Sequence, residues 1–192
     1  MRRLRYQVAS SLDGFIAGPH GEYDWITSDP DIDFAAMFAQ YDTIVMGRKT
    51  FELTARQGGG TIPGVDVIVF SRTLRAADYP KISIVSTDPA ETIRSLKERP
   101  GKDIWLFGGG ELFRSLLNAG VVDTVELGVV PVLLGEGVPL LPPPTARAQL
   151  SLSGHRLYPK SGIMLLEYAV TTASARTKGA RRARPSAAGT SR

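Results

Sequence analysis

Three places in the chain gather backbone amides, hydroxyls and cations in a way that suits an anion. The plainest is Ile104-Trp105-Leu106-Phe107-Gly108-Gly109-Gly110-Glu111-Leu112-Phe113, an apolar run that passes directly into three glycines and then an amphipathic stretch. Residues without a Cβ let the backbone come close to a ligand, and the free N–H groups at a helix start attract phosphate. The dinucleotide fingerprint G-x-G-x-x-G is not met, because Phe113 stands at the third glycine position, and no Lys-Ser/Thr pair completes a P-loop. A tight strand-to-helix turn accounts for the glycines equally well. The second place is Ile44-Val45-Met46-Gly47 followed by Arg48-Lys49-Thr50-Phe51-Glu52, where two cations occupy the first turn of an expected helix. Cations there oppose the helix macrodipole, a conflict that a bound anion removes. The third is Val69-Phe70-Ser71-Arg72-Thr73. Ligands of open α/β sheets sit at the carboxyl ends of strands, so three such ends suggest a ligand with several phosphates, against the plain alternative of a solvated basic rim.

The acidic candidates are Asp13, in Ser11-Leu12-Asp13-Gly14-Phe15-Ile16-Ala17, and Asp29, Asp31 and Asp33 around Pro30. Asp13 fits a turn in which it bonds its own backbone. At least two of the other three suit a helix start, while one facing Phe34, Phe38 and Trp25 would have a raised pKa and could pass a proton. With His20 and His155 as the sole histidines and no cysteine, no ligand spacing for a metal is present.

The elements that must position these groups read as alternating strands and helices. Leu4–Ser10, Thr43–Met46, Val65–Phe70, Ile82–Val85 and Asp103–Phe107 are expected strands, the middle ones apolar enough for burial on both faces. Asp31–Gln40, Arg48–Gln57, Pro89–Arg99 and Glu111–Asn118 are expected helices, with Asp31 and Asp88 as caps and Gly58, Gly101 and Gly120 after helix ends. After Gly120 only strands follow: Val122–Val130, a Gly/Pro-rich stretch from Pro131 to Pro144, then Leu150–Leu157 and Ile163–Val170 as a hairpin. The expectation is an α/β fold with a mostly parallel sheet of about eight strands, ending antiparallel, and about four flanking helices.

The 192 residues carry a net charge of +4, yet this does not describe the folded part. Arg176, Lys178, Arg181, Arg182, Arg184 and Arg192 stand in the last 22 residues, leaving 17 basic against 19 acidic groups before them, a net −2. We therefore expect one domain over residues 1–170 and a disordered basic tail over 171–192, a solvated extension whose alternative role is nucleic-acid binding. The absence of cysteine excludes a disulfide scaffold and suits a cytoplasmic setting, and no apolar run reaches membrane-spanning length.

Taken in order, these segments resemble the dihydrofolate reductase superfamily. The nearer likeness is to the reductase domain of the bacterial riboflavin-biosynthesis deaminase-reductase and its stand-alone relatives. The segments that carry it are Ser11–Ala17, Val45–Glu52, Val69–Thr73, Phe107–Leu112 and Val130–Gly137. The resemblance implies NADPH as cofactor and hydride transfer to a C=O or C=N bond of a small heterocycle or ribosylated pyrimidine. It places Gly47, Arg48, Lys49 and Thr50 at the adenosine phosphates and Ser71 and Arg72 at the 2′-phosphate. Gly108, Gly109 and Gly110, with Glu111 and Leu112 after them, would sit at the pyrophosphate, and Ala9, Ile16 and Ala17 would border the nicotinamide. It puts Asp13 near the substrate and favours Asp31 as the acid, with Asp29 and Asp33 as rivals and water as another proton source. No His/Cys zinc constellation accompanies these motifs, so a stand-alone reductase is expected rather than the bifunctional enzyme. The alternatives are a genuine dihydrofolate reductase and a non-catalytic nucleotide-binding scaffold. Superfamily relatives pair through sheet edges or late strands, which makes a homodimer the expected assembly.

Overall fold

A computed structural model describes residues 1–56 and 60–171, so residues 172–192 of the expected tail and the capping position expected at Gly58 lie outside the described residues, while Thr171, expected to begin the tail, closes the last strand. Ten strands and four α-helices follow one another as β1 (Leu4–Ser11), β2 (Phe15–Ala17), α1 (Phe34–Phe38), β3 (Tyr41–Gly47), α2 (Arg48–Arg56), β4 (Asp66–Phe70), β5 (Ser83–Val85), α3 (Pro89–Glu98), β6 (Asp103–Gly108), α4 (Gly110–Asn118), β7 (Thr124–Val130), β8 (Val138–Pro139), β9 (Gln149–Tyr158) and β10 (Ile163–Thr171). Eight strands form one sheet in the order β5-β4-β3-β6-β1-β7-β10-β9. Neighbours are parallel from β5 to β7, and β10 and β9 close the sheet antiparallel. The parallel half and the terminal hairpin match the expected architecture. The small sheet of β2 and β8 was not foreseen, because a three-residue and a two-residue strand show too little periodicity to be read. Among the described residues no helix is long and apolar enough to cross a membrane.

Side chains alternate across the sheet. Leu4 and Tyr6 of β1 join Val125 of β7, Ile93 of α3 and Phe113 and Leu116 of α4 in one buried cluster. Ile44, Met46, Val67, Val69 and Trp105 join Phe51 of α2 in a second cluster on the opposite face. Helices α3 and α4 thus cover one side and α1 and α2 the other. Beyond β7 the helical cover ends, and Leu150, Leu152 and Leu157 of β9 remain 44%, 56% and 54% exposed.

The first helix differs from the expected Asp31–Gln40. It starts at Phe34, and Asp33 rather than Asp31 caps it by accepting from the Ala36 N–H. Asp29 is the reason: its carboxylate accepts from the Asp31 N–H at 2.9 Å and its carbonyl from the Ile32 N–H, which fixes residues 29–32 as a turn. The other Asp29 oxygen accepts from the Ser161 N–H at 2.9 Å, and Asp31 pairs with Lys160 at 3.0 Å. The two carboxylates therefore fasten the segment before α1 to the tip of the β9–β10 hairpin.

Two further features fix the registers. Arg5 of β1 and Glu126 of β7 form a bidentate pair, both contacts 2.7 Å, with side chains 9% and 4% exposed. The remaining Arg5 nitrogen donates to Gln40, and Thr124 donates to Glu126. Along β9 and β10 the register slips once, between Glu167 and Tyr168: Glu167 faces Gly154 whereas Tyr168 faces Leu152, leaving Ser153 as an extra residue.

Two predictions follow from these contacts. Arg5→Met leaves the Glu126 carboxylate buried without its counter-ion and should cost about 3–5 kcal/mol, whereas Arg5→Met with Glu126→Leu should recover most of that loss in urea unfolding. Hydrogen bonding from Ser161, with that from the Asp31 amide, holds the Asp29 carboxyl below its ordinary pKa despite opposing desolvation. Its folded-state pKa is depressed, so its contribution to stability is present above the unfolded value of about 3.9 and lost as pH falls through the folded value. Asp29→Asn should therefore lower the thermal midpoint at neutral pH and flatten its decline under acid; an unchanged acid limb would show that Asp29 is not the group responsible.

Candidate functional site

A cleft of about 1680 Å³ opens on the sheet face that carries α1 and α2. One half is built where β3 and β6, neighbours in the sheet, run into α2 and α4. Gly47 ends β3 and Arg48 begins α2; Gly108 ends β6 and Gly110 begins α4. Helix α4 has Gly109 as its N-cap, at φ 94° and with no side chain capping the first turn. That left-handed backbone is accessible to glycine at no steric cost, and it leaves the first N–H groups of α4 without a side-chain acceptor. The triglycine also packs closely: a Cβ on Gly108 would lie 3.3 Å from Thr50 Cγ2, and one on Gly110 would lie 2.5 Å from the Pro139 carbonyl oxygen. Arg48 pairs with Glu52 at 3.3 Å, while Lys49 has no hydrogen-bond or ion-pair partner among the described residues. Two helix starts, a glycine turn and an uncommitted ammonium are donors suited to a diphosphate, so the residues present fit a dinucleotide.

The other half is floored by β1, β7, β10 and β9. Gln7 and Ala9, Glu126 and Gly128, and Leu165 and Glu167 line it, with Trp105 and Phe107 of β6 and Phe34, Met37 and Phe38 of α1 as an apolar wall. The Trp105 indole donates to the Gln7 carbonyl at 2.9 Å, and its ring meets Phe107 edge-on at 4.9 Å. Small residues at Ala9 and Gly128, directly opposite each other in register, leave a flat area between the halves. Ile16 and Ala17 of β2 stand at its border.

The structure thus brings Ala9, Ile16, Ala17, Gly47, Arg48, Lys49, Thr50, Gly108, Gly109, Gly110, Glu111 and Leu112 to one cleft. Glu111 does so while paired with Arg114. It does not bring Ser71 or Arg72 into the wall. Register sets Phe70 beside Gly47, so Ser71 follows just past the cradle, where its Oγ accepts from the Thr73 and Leu74 N–H groups.

The acids are placed differently from the expectation. Asp31, the favoured proton source, is absent from the lining and is engaged by Lys160. Asp29 is 1% exposed and serves the hairpin contact. Asp13 also lies outside the lining: it accepts from Ser11 Oγ at 2.6 Å and from the Leu134 and Gly135 N–H groups, bonds that hold its carboxyl below the ordinary range. It ties the loop after β1 to the loop after β7. Asp33 does line the cleft, but its carboxylate caps α1. The physical reason is common to all four: each carboxylate has a backbone N–H group or a cation within reach and is engaged by it.

Sequence reasoning missed Gln7, Trp105, Phe107, Gly128, Arg156 and Glu167 as cleft residues. Gly128 within a strand was a usable signal, since glycine there marks a close approach. Gln7, an amide inside an apolar alternation, was another.

With this geometry in place, the comparisons are specific. The RibD C-terminal domain profile matches residues 2–163. The chain is 37% identical over 179 residues to YyaP, an uncharacterised protein of Bacillus subtilis (strain 168), covering 87% of this chain and 94% of that one. It is 30% identical over 147 residues to the riboflavin biosynthesis protein RibD of Mycobacterium tuberculosis (strain ATCC 25618 / H37Rv), covering 69% of this chain and 43% of RibD, so it spans less than half of that relative. A candidate riboflavin biosynthesis protein of Shewanella sp. PV-4 superposes with a TM-score of 0.75 at 23% identity, over 90% of this chain and 100% of that one. With the profile covering most of its length, the chain belongs to the RibD C-terminal domain family.

Proposed function

We propose that the protein is an NADPH-dependent oxidoreductase that reduces a C=O or C=N bond of a small heterocycle, a pyrimidine reductase of the riboflavin-pathway type. The observation that carries this reading is the cradle itself: two helix starts at the carboxyl ends of adjacent parallel strands, with Gly108–Gly110 and Lys49, opening onto an aromatic slot. The name of the RibD relative supports the same direction.

When bound, NADPH supplies the hydride. The chain's residues hold and shield it. Backbone N–H groups of Gly110–Leu112 and the Lys49 ammonium would hold the diphosphate, and Arg48, which pairs with Glu52 at 3.3 Å, would add its charge there. Ala9 and Gly128 present a floor without bulk, on which two flat rings can meet at the short distance that transfer requires. Ile16, Ala17 and Trp105 keep the region apolar and restrict water. Since Asp13, Asp29 and Asp31 lie outside the lining, and Asp33, which lines it, caps α1 with its carboxylate, water would deliver the proton. The same placement argues against a genuine dihydrofolate reductase, in which an acid of the Asp31 kind would have to face the ligand.

Arg72 follows Ser71 just past the end of β4, outside the lining and without a partner among the described residues, and its free guanidinium supports assigning it to the 2′-phosphate. Arg72→Ala should weaken NADPH by about tenfold or more while leaving NADH within about twofold, as the loss of a charge-assisted contact predicts. Fluorescence titration with both cofactors checks this, and equal losses would remove the assignment.

A homodimer is supported by a separate observation. Leu150, Leu152 and Leu157 are exposed on the outer face of β9, the edge strand of the sheet. Such an apolar face is stabilised by a second copy of itself. Leu152→Glu should convert a dimer to a folded monomer in sedimentation, and a monomeric parent protein at micromolar concentration would refute the assembly.

A further inference from the structure

Strand register arranges the cleft floor as rows. Gln7, Glu126, Glu167 and Gly154 occupy one row across β1, β7, β10 and β9, and Ala9, Gly128, Leu165 and Arg156 occupy the next. Most polar groups here are engaged with one another. Glu126 is held by Arg5 and Thr124, and the Gln7 carbonyl oxygen of the side chain accepts from the Tyr41 hydroxyl at 2.6 Å. Two charged groups are not. The half-buried Glu167 carboxylate has no hydrogen-bond or ion-pair partner among the described residues, and the Arg156 guanidinium has only the ring of Tyr158 beneath it, at 4.8 Å.

Their placement is built rather than incidental. A Cβ on Gly154 would lie 2.9 Å from Glu167 Oε2 and 3.4 Å from its carboxyl carbon, so the glycine opposite is what lets the carboxylate lie over β9. Leaning that way also carries it from the Glu126 carboxylate in the same row. It arrives beside the strand that bears Arg156 two residues on, yet the two form no ion pair. Tyr158, itself buried, holds the guanidinium in place from below. A carboxylate is an acceptor only and a guanidinium a donor only. Set in neighbouring rows on adjacent strands without bonding each other, they suit a group that offers the complementary pair.

We propose that Glu167 and Arg156 are specificity-determining residues that read an N–H donor next to a carbonyl acceptor, the lactam or ureide edge of a flat heterocycle lying over Ala9 and Gly128. The assignment rests on the reductase reading given above and names the substrate edge that site would select. Glu167 accepts from the ring N–H, and Arg156 donates to the adjacent carbonyl. A site built to hydrogen-bond a group discriminates strongly against an analogue that lacks it, because the protein's own charges are then left unpaired.

The test uses the full chain saturated with NADP⁺ and two probes, 5,6-diaminouracil and its 1,3-dimethyl derivative, whose ring N–H groups are blocked. Calorimetry on the parent protein should show a preference of about tenfold or more for the unblocked ring. Glu167→Ala and Arg156→Met should each reduce that preference to within about threefold while NADPH affinity stays unchanged. Glu167→Met, of similar length but without an oxygen acceptor, repeats the measurement should the alanine variant not fold. A folded Glu167 variant that keeps the full preference would overturn the proposal, as would a parent protein that binds both probes equally or neither. A parent protein that fails to bind NADPH refutes the cofactor reading instead, and the probe preference measured without cofactor then decides the edge assignment by itself.

Discussion

The register between β1 and its two neighbours governs the molecule. Side chains alternate between sheet faces, so a slip of one residue along β1 would send Leu4 and Tyr6 into the cleft and Arg5, Gln7 and Ala9 into the helical core. The bidentate Arg5–Glu126 pair prevents that slip, because its geometry is met only when Arg5 stands beside Thr124 and Gln7 beside Glu126. A buried pair of this kind adds little net stability over a hydrophobic one, and its value lies in allowing a single alignment. From that alignment the remaining floor follows, since β7 aligns β10 and β10 aligns β9.

The site then divides by which polar groups are saturated. Backbone amides and cations engage Asp13, Asp29, Asp31 and Asp33, and all four act as fasteners between loops, turns and helix starts. What the cleft keeps uncommitted is different in kind: helix-start amides and Lys49 at one end, Glu167 and Arg156 at the other. The same chain segregates apolar bulk, with Trp105, Phe107 and the α1 phenylalanines forming a wall and Ala9 and Gly128 a bare floor. Charge complementarity at the two ends and flatness between them are the properties expected of a site that joins a dinucleotide to a planar ring.

Much of this was legible before the structure. Apolar runs such as Ile104–Phe107 and Ile44–Met46 are buried on both faces, so composition alone marks them as interior parallel strands, and the glycine at each end marks the turn into a helix. The Gly47–Thr50 and Gly108–Leu112 segments therefore converge on one cleft as their shared strand-to-helix pattern suggests. The acids were harder, because a short carboxylate can cap, clamp or catalyse with the same local sequence. Asp31 and Asp33 are separated by one residue, and only the turn that Asp29 imposes decides which of them caps α1. Glu167 and Arg156 were harder still. Their meeting depends on pairing between strands and on the room left at Gly154, neither of which is encoded within a short window.

The extra residue in β9 has its own consequence. On an unbroken strand Leu150, Leu152, Gly154, Arg156 and Tyr158 would share one face, but Ser153 changes the parity between Leu152 and Gly154. Leucines before it and the arginine and tyrosine after it consequently serve opposite sides of the same sheet. Ser153 acts as a frameshift in three dimensions. One inserted residue lets a single ten-residue strand work in two environments, and it makes the length of β9, more than the identity of any one side chain in it, the quantity that variation in this segment must conserve.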